Sequence, residues 1–324
     1  MMQVETKNPP LITVVIPAYN SERTIASTLD SMSRQTYGSF EVLVVDDGST
    51  DATPGIIERY CVADPRFRYI RKENGGTASA YDLGMREARG PWIAVGAADD
   101  LFESDCLMTQ AQAMQAHPGF QVYCANGYVF QEEEGWRYLA LQGRQWKTDH
   151  EVVLDSLSVK CILSLGAVYN RAAGLSIGGY TMGLLTEDFD FWLRLMVSGN
   201  RFWYTAKTLA LFRESAHQRS SAYADMDAAH VETLRRVAEQ EGVSRHDIDI
   251  LVAAMPRFLQ GQRNPNERLE MVRQREAIYA KIERMPQVFQ SLFRFGIHVF
   301  KPVARPLRGF LAHHHVKGER DRGK

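Results

Sequence analysis

Along its first hundred residues the chain repeats one pattern: a short apolar run, a polar turn, then apolar positions three and four apart. Leu11 to Ile16 (LITVVI) is a β-branched run closed by Pro17 and predicts a buried parallel strand. Ile25, Leu29 and Met32 then fall on one helical face, with Asn20 or Ser21 as the expected cap. Val42 to Val45 predicts a second strand, stopping at the acidic turn Asp46-Asp47-Gly48-Ser49-Thr50-Asp51. Pro54 suits the first turn of a helix that continues through Ile56, Ile57 and Tyr60. Phe67 to Ile70 is a third strand, Gly75-Gly76 a turn, and Ala78 to Ala88 a helix. Trp92 to Val95 is a fourth strand, and it too ends in acid, at Asp99-Asp100.

Strand, polar turn and helix repeated in this way predict right-handed crossovers and a parallel sheet, hence an α/β fold. Ligands of such sheets bind beyond the carboxyl ends of the strands. The polar segments Pro17 to Glu22, Asp46 to Asp51, Arg71 to Thr77 and Asp99-Asp100 all lie at those ends, so one crevice built from four loops is expected. Farther on the pattern is mixed, with short strands expected near Gln121–Ala125, Trp136–Leu141 and Leu163–Tyr169. Glu187 to Val197 (EDFDFWLRLMV) predicts an apolar helix that opens with two carboxylates, and beyond Ala222 the chain turns helical and polar.

Three acidic groups carry the candidate chemistry. Asp46-Asp47-Gly48-Ser49 offers carboxylates to a base or ribose, with Gly48 allowing close backbone approach. The same residues also make an ordinary surface turn. Asp99-Asp100 offers hard oxygen ligands for a divalent cation beside a diphosphate, or else a cap for the helix that follows near Asp105. Glu187-Asp188 places a carboxylate against an apolar helix, where it can take a proton from a hydroxyl, or simply faces the helix dipole. A dinucleotide-binding fold needs a GxGxxG loop after its first strand, and IPAYNSE contains no glycine. A nucleotidyltransferase would carry a glycine-rich, lysine-containing loop there, and that is missing too.

Composition narrows the setting. A formal net charge of -1 over 324 residues gives no overall attraction to nucleic acid. Cys61, Cys106, Cys124 and Cys161 form no CxxC pair, so reduced thiols are expected rather than a zinc ribbon or disulfide framework. No apolar run of membrane-spanning length and no secretory signal stretch is present, which favours a cytoplasmic protein.

ITVVIPAYNSERTIASTLDSM, EVLVVDDGSTDATPGIIERY, NGGTASA, AADD and IGGYTMGLLTEDFDFWLRLM, in that order, resemble the family-2 glycosyltransferases with the GT-A fold. The resemblance runs over roughly residues 10 to 220 and implies a mainly parallel central sheet, a nucleotide-binding half at about 10–105 and an acceptor half at about 106–220. Residues 221–324 would then be a helical C-terminal extension. It also implies an inverting transfer of a sugar, UDP-linked by default, to a saccharide or lipid-linked hydroxyl acceptor in cell-surface polysaccharide, lipopolysaccharide or glycolipid synthesis. A non-catalytic nucleotide-sugar-binding or scaffold protein with the same fold is the alternative.

Carried over by residue, the resemblance implies nucleotide-sugar contacts from Pro17, Tyr19, Asn20, Glu22, Asp46, Asp47, Arg71, Asn74, Gly75 and Gly76. Asp188 corresponds to the catalytic base, with Glu187 beside it, and Asp99 to the last acid of the DxD metal motif. LFRESAHQRSS resembles the loop that closes over the diphosphate, nominating Arg213 and Ser220 for the donor and His217 for the metal. The first DxD acid is Ala97 here, so Mg2+ or Mn2+ would rely on Asp99, Asp100 and donor oxygens. Tyr81-Asp82 stands where the family often has Arg-Asn, and the QxxRW motif of processive synthases is absent.

Residues 285–324 hold eight Lys and Arg against Glu319 and Asp321, interleaved with Phe289, Phe293, Phe295 and Phe300. Such a tail suits an anionic membrane surface, and equally a packing helix with a solvated end. His313-His314-His315 reads as a solvated tract, with metal binding as the alternative.

Overall fold

A computed structural model describes residues 11–131, 136–139, 166–213 and 223–241. The basic tail, His217, Ser220 and Cys161 lie outside the described residues. Strands β1 (Ile12–Ala18), β2 (Phe40–Asp46), β3 (Phe67–Arg71) and β4 (Trp92–Val95) alternate with helices α1 (Ile25–Ser33), α2 (Thr53–Ala63) and α3 (Thr77–Glu87). The four strands are parallel, as the repeated pattern predicts, and they lie in the order β3-β2-β1-β4.

Beyond β4 the sheet becomes mixed. The short strand β5 (Leu101–Phe102), helix α4 (Cys106–Ala116), and strands β6 (Val122–Gln131), β7 (Trp136–Leu139) and β8 (Val168–Asn170) follow. Helices α5 (Arg171–Ser176) and α6 (Glu187–Val197), strand β9 (Phe202–Arg213) and helix α7 (Tyr223–Gln240) complete the described chain. β8 lies antiparallel to both β4 and β6, while β9 runs parallel to β6 and antiparallel to β5. The sheet therefore reads β3-β2-β1-β4-β8-β6-β9-β5, with β7 paired to β6.

Alternation along the strands builds two cores. Ile12, Val14 and Ile16 of β1 pack with Leu29, Met32, Ile57 and Leu107, beneath α1, α2 and α4. Val15 points the other way, into a cluster with Met85, Tyr169, Phe191, Trp192 and Val237, beneath α3, α6 and α7. Both faces of the parallel half are covered, which is why every residue of β2 is buried. α3 approaches β1 so closely that a Cβ on Gly84 would fall 2.3 Å from a Val15 methyl.

One cap expected from the sequence is replaced. Helix α1 starts after Thr24 with no side-chain cap, because Asn20 Oδ1 accepts the Thr50 N–H at 2.9 Å instead. Cys61, Cys106 and Cys124 are free thiols, and burial pushes the Cys106 pKa up to about 12. Among the described residues no helix is long and apolar enough to cross a membrane.

A buried acid, Glu41, clips β2 to its neighbours. It accepts hydrogen bonds from Thr13 Oγ1 (2.7 Å), the Arg89 N–H (2.7 Å) and Arg68 Nη1 (2.9 Å). Burial works to raise the Glu41 pKa, but these donors outweigh it and hold the pKa below the ordinary 4.5.

Two outcomes follow from this packing. Gly84→Ala is expected to lower unfolding stability by about 1–3 kcal/mol, since Val15 has no room to yield; urea midpoints measure it. Glu41 has a lower pKa folded than unfolded, so its contribution is complete at neutral pH and lost as the pH falls from 4.5 through the folded value. Glu41→Gln should therefore be less stable than the parent at pH 7, with the gap narrowing as a denaturation series is taken into acid.

Candidate active site

The carboxyl ends of β1 to β4 meet at one rim, and the register decides which side chains gather there. Ala18 pairs with Asp46, and Asp46 pairs with Arg71. Asp46 is fully buried; its Oδ1 accepts the Ser49 N–H at 2.8 Å and its Oδ2 the Tyr69 hydroxyl at 2.8 Å. Burial first, then this carboxylate, raises the Tyr69 pKa, so the phenol stays a donor. Arg71 stands 3.7 Å from Asp46 while keeping 55% of its side chain exposed, and its Nη2 donates to the Ser49 carbonyl at 2.8 Å.

Asp47 holds the next loop. Its Oδ1 accepts from Lys72 Nζ at 2.6 Å and from the Gly75 N–H at 3.0 Å, and its Oδ2 from the Gly76 N–H at 2.7 Å. Gly76 takes φ +85 as it enters α3, a left-handed conformation that favours glycine. Asn20, at φ 46, and Glu22 tie the first loop to the second: Glu22 Oε2 accepts the Ala52 N–H at 2.9 Å, and Asp51 Oδ2 accepts the Glu22 N–H at 3.1 Å. Pro17 is half-buried in β1, whereas Tyr19 is 51% exposed and Asn74 and Gly75 are exposed. The predicted nucleotide-sugar residues of loops one to three are thus brought together. Asp46 and Asp47 form the frame, and Tyr19, Arg71 and Asn74 form the surface.

The structure divides the acid pair after β4. Asp100 is buried, and its Oδ1 accepts the Arg213 N–H at 3.1 Å, where β9 ends. Burial and then the Asp99 charge hold the Asp100 pKa well above the ordinary carboxylate value, opposed by Arg213. Asp99 is half-buried, and its carbonyl accepts Arg213 Nε at 2.9 Å. Arg213 also covers the Phe130 ring at 4.9 Å. The Arg213 predicted from the sequence is therefore at the acidic turn, clasping Asp99 and Asp100 by backbone and side chain.

Glu187 and Asp188 open α6, Glu187 buried and Asp188 half-buried. The Asp188 Oδ1 accepts its neighbour's amide, Phe189 N–H, at 2.7 Å. Tyr81, a buried residue of α3, donates its hydroxyl to the Gly96 carbonyl at 2.7 Å and stacks its ring on Tyr180. Burial raises its pKa well above 10.0, and the charges of Glu187, Asp100, Asp188 and Asp99 raise it further. Two segments nearly ninety residues apart in the chain thus act on one phenol.

Sequence reasoning missed Lys72, Asp190 and Arg194. Lys72 had a readable signal: neighbouring parallel strands end in Asp46-Asp47 and Arg71-Lys72, which the register sets side by side. Asp190 is fully buried, accepts from Thr181 Oγ1 at 2.6 Å and Arg194 Nε at 2.9 Å, and pairs with Arg236 of α7. It anchors the Asp188 helix through contacts that no local pattern displays.

Among the described residues no three His, Cys, Asp or Glu side chains group to hold a metal alone. Asp99 and Asp100 are adjacent carboxylates, and the Oδ1 of Asp100 accepts the Arg213 N–H. That donor set fits a Mg2+-like ion, which commonly takes one or two carboxylates and completes its shell with phosphate oxygens.

Residues 13–173 match the family described as Glycosyl transferase family 2. Glycosyltransferase GlyA of Streptococcus pneumoniae serotype 4 is 34% identical over 148 residues, 46% of this chain and 21% of that protein. GlyG of the same organism is 30% identical over 165 residues, 51% of this chain and 50% of that protein. The chain thus spans about a fifth and about half of the length of these two relatives. S. aureus TarS 1-349 in complex with UDP-GlcNAc superposes with a TM-score of 0.60 at 19% identity, covering 89% of this chain and 87% of that one. Mannosyltransferase PcManGT from Pyrobaculum calidifontis, in complex with GDP-Man and Mn2+, gives 0.57 at 18%, covering 91% and 82%. At these identities the two structures bear on the fold, which is GT-A. Residues 13–173 of this chain belong to glycosyl transferase family 2.

Proposed function

We propose that this chain is an inverting glycosyltransferase that moves a sugar from a nucleoside-diphosphate donor, UDP-linked, to a hydroxyl of a saccharide or lipid-linked acceptor. The observation that supports the reading is the run of contacts from the Gly96 carbonyl through Tyr81 and Tyr180 to Phe191, which links the strand end before Asp99 to the helix that Asp188 opens. TarS bound to UDP-GlcNAc and PcManGT bound to GDP-Man support a nucleotide-sugar as the donor. Cell-surface polysaccharide, lipopolysaccharide or glycolipid synthesis is the setting such a reaction would serve.

The chemistry follows from the placement of the side chains. Tyr19, Arg71 and Asn74 receive the nucleotide over a floor set by Asp46 and Asp47. Asp188 accepts the proton of the acceptor hydroxyl as its oxygen bonds to the anomeric carbon. The bond from that carbon to the diphosphate oxygen breaks on the opposite side, the diphosphate leaves with the electron pair, and the configuration inverts. A divalent ion, Mg2+ or Mn2+, bound by Asp99 and the donor phosphates would neutralise charge on the departing diphosphate. Glu187 borders the base. Holding donor and acceptor in one crevice removes much of the entropic part of the barrier.

A thermal-shift panel of UDP-, GDP- and dTDP-sugars with and without Mn2+ identifies the donor, since binding to the folded state raises its melting temperature. Asp188→Asn is expected to keep that shift while lowering nucleotide release by about 10²–10⁴-fold, the usual contribution of a positioned base. Normal turnover in this variant would reject the base assignment. Asp99→Asn is expected to raise the Mn2+ concentration needed for half-maximal release by at least about tenfold, roughly one lost charged ligand. An unchanged Mn2+ titration would remove Asp99 from the donor site.

A further inference from the structure

Tyr81 and Asp82 are 9% and 8% exposed, so the departure from Arg-Asn at these positions is turned into the protein. The Tyr81 hydroxyl donates to the Gly96 carbonyl at 2.7 Å, three residues before Asp99. Its ring stacks on Tyr180 with centroids 5.2 Å apart and planes at 16°. Tyr180 in turn stacks on Phe191 at 4.1 Å and 3°, and Phe191 lies three residues after Asp188 in α6. A chain of three buried rings therefore joins the strand end bearing Asp99 to the helix turn bearing Asp188.

Asp82 works on the same turn through its carboxylate. Its Oδ1 accepts the Tyr180 N–H at 3.2 Å, and Arg86 Nε donates to its Oδ2 at 2.7 Å. Gly179 has φ +79, and a Cβ there would fall 2.0 Å from Asp82 Oδ1, so the approach requires glycine. From the other side Arg194 of α6 donates to the Ile177 carbonyl at 2.7 Å and the Gly179 carbonyl at 2.6 Å. The glycine-rich turn is thus clamped between α3 and α6.

We propose that Tyr81 and Asp82 are positioning residues that fix the first turn of α6, and with it Asp188, against the strand end carrying Asp99. A buried acid is costly unless it is well bonded, and here it is aimed at one backbone amide of the turn that leads into α6. A leucine pair would fill the same space without that aim. Displacing a catalytic group by about 1 Å can cost about a hundredfold in rate, so a clamp on this turn bears on turnover more than on donor affinity.

The proposal rests on Asp188 as the base, and the test separates the two. Using the full chain with UDP-GlcNAc and Mn2+ as the probe, nucleotide release is compared for Asp82→Ala, Asp82→Asn, Tyr81→Phe and Asp188→Asn. Amide exchange at residues 187–191 is followed in parallel without ligand. Asp82→Ala is expected to lower kcat at least about tenfold with donor KM within about threefold, the pattern of a misplaced group. Asp82→Asn should restore kcat to within about threefold, since its Oδ1 still accepts the Tyr180 N–H. Exchange at 187–191 should rise in Asp82→Ala and Tyr81→Phe while that of β1 and β2 holds.

Unchanged exchange at 187–191 in both variants overturns the proposal, as does Asp82→Asn proving as damaging as Asp82→Ala. If Asp188→Asn turns over normally, the base reading fails while the exchange result still decides the clamp. If UDP-GlcNAc is not turned over by the parent chain, the exchange comparison decides alone.

Discussion

Loops that leave a parallel sheet carry backbone N–H groups with no strand to bond to, and a buried N–H must find an acceptor. At this rim many of the acceptors are side chains: carboxylates, the Asn20 amide, and the Ser49 and Thr53 hydroxyls. Asp46 takes the Ser49 N–H, Asp47 those of Gly75 and Gly76, Glu22 that of Ala52, and Asn20 that of Thr50. Asp100 does the same for Arg213 across the sheet. Charge-assisted bonds of this kind are about twice as strong as neutral ones. Each loop is therefore held by the next, and the crevice has its shape before any ligand arrives.

This constraint explains what could be read in advance. The parallel half was legible because each of its units is local: an apolar run, a turn and an amphipathic helix within about thirty residues. Helix α6 was legible for the same reason, from Glu187 to Val197. Strand β9, the longest in the sheet, was not recognised, although Phe202 to Tyr204 and the threonines after it form an aromatic and β-branched run. Its partners are β6 and β5, roughly eighty to a hundred and ten residues earlier, and no local period encodes such pairing. At the site, the types and places of the acids were legible and their duties were not. Asp46 and Asp47 read as ligand contacts, yet protein donors occupy the oxygens of both.

The same logic divides Asp99 from Asp100, which look equivalent as a pair. Strand β9 arrives beside Asp100 and presents the Arg213 N–H, so one carboxyl becomes part of the frame and the other remains at the rim. In the proposed reaction the loss of an acid at Ala97 would be less severe than the motif implies, because an ion shared with a diphosphate needs few protein ligands.

Charge balance adds a last step. Asp99, Asp100, Glu187 and Asp188 all act on one buried phenol, and a neutral tyrosine at position 81 supplies no cation among them. Lys72 is committed to Asp47, and Arg213 to the Asp99 carbonyl and the Phe130 ring. Burial first, and then the Asp99 charge, raise the Asp100 pKa above the ordinary carboxylate value. A diphosphate arriving with a divalent ion would bring its own countercharge to these four acids. In the proposed reaction the acids then select for the metal-chelated donor, and Asp188 receives the acceptor proton.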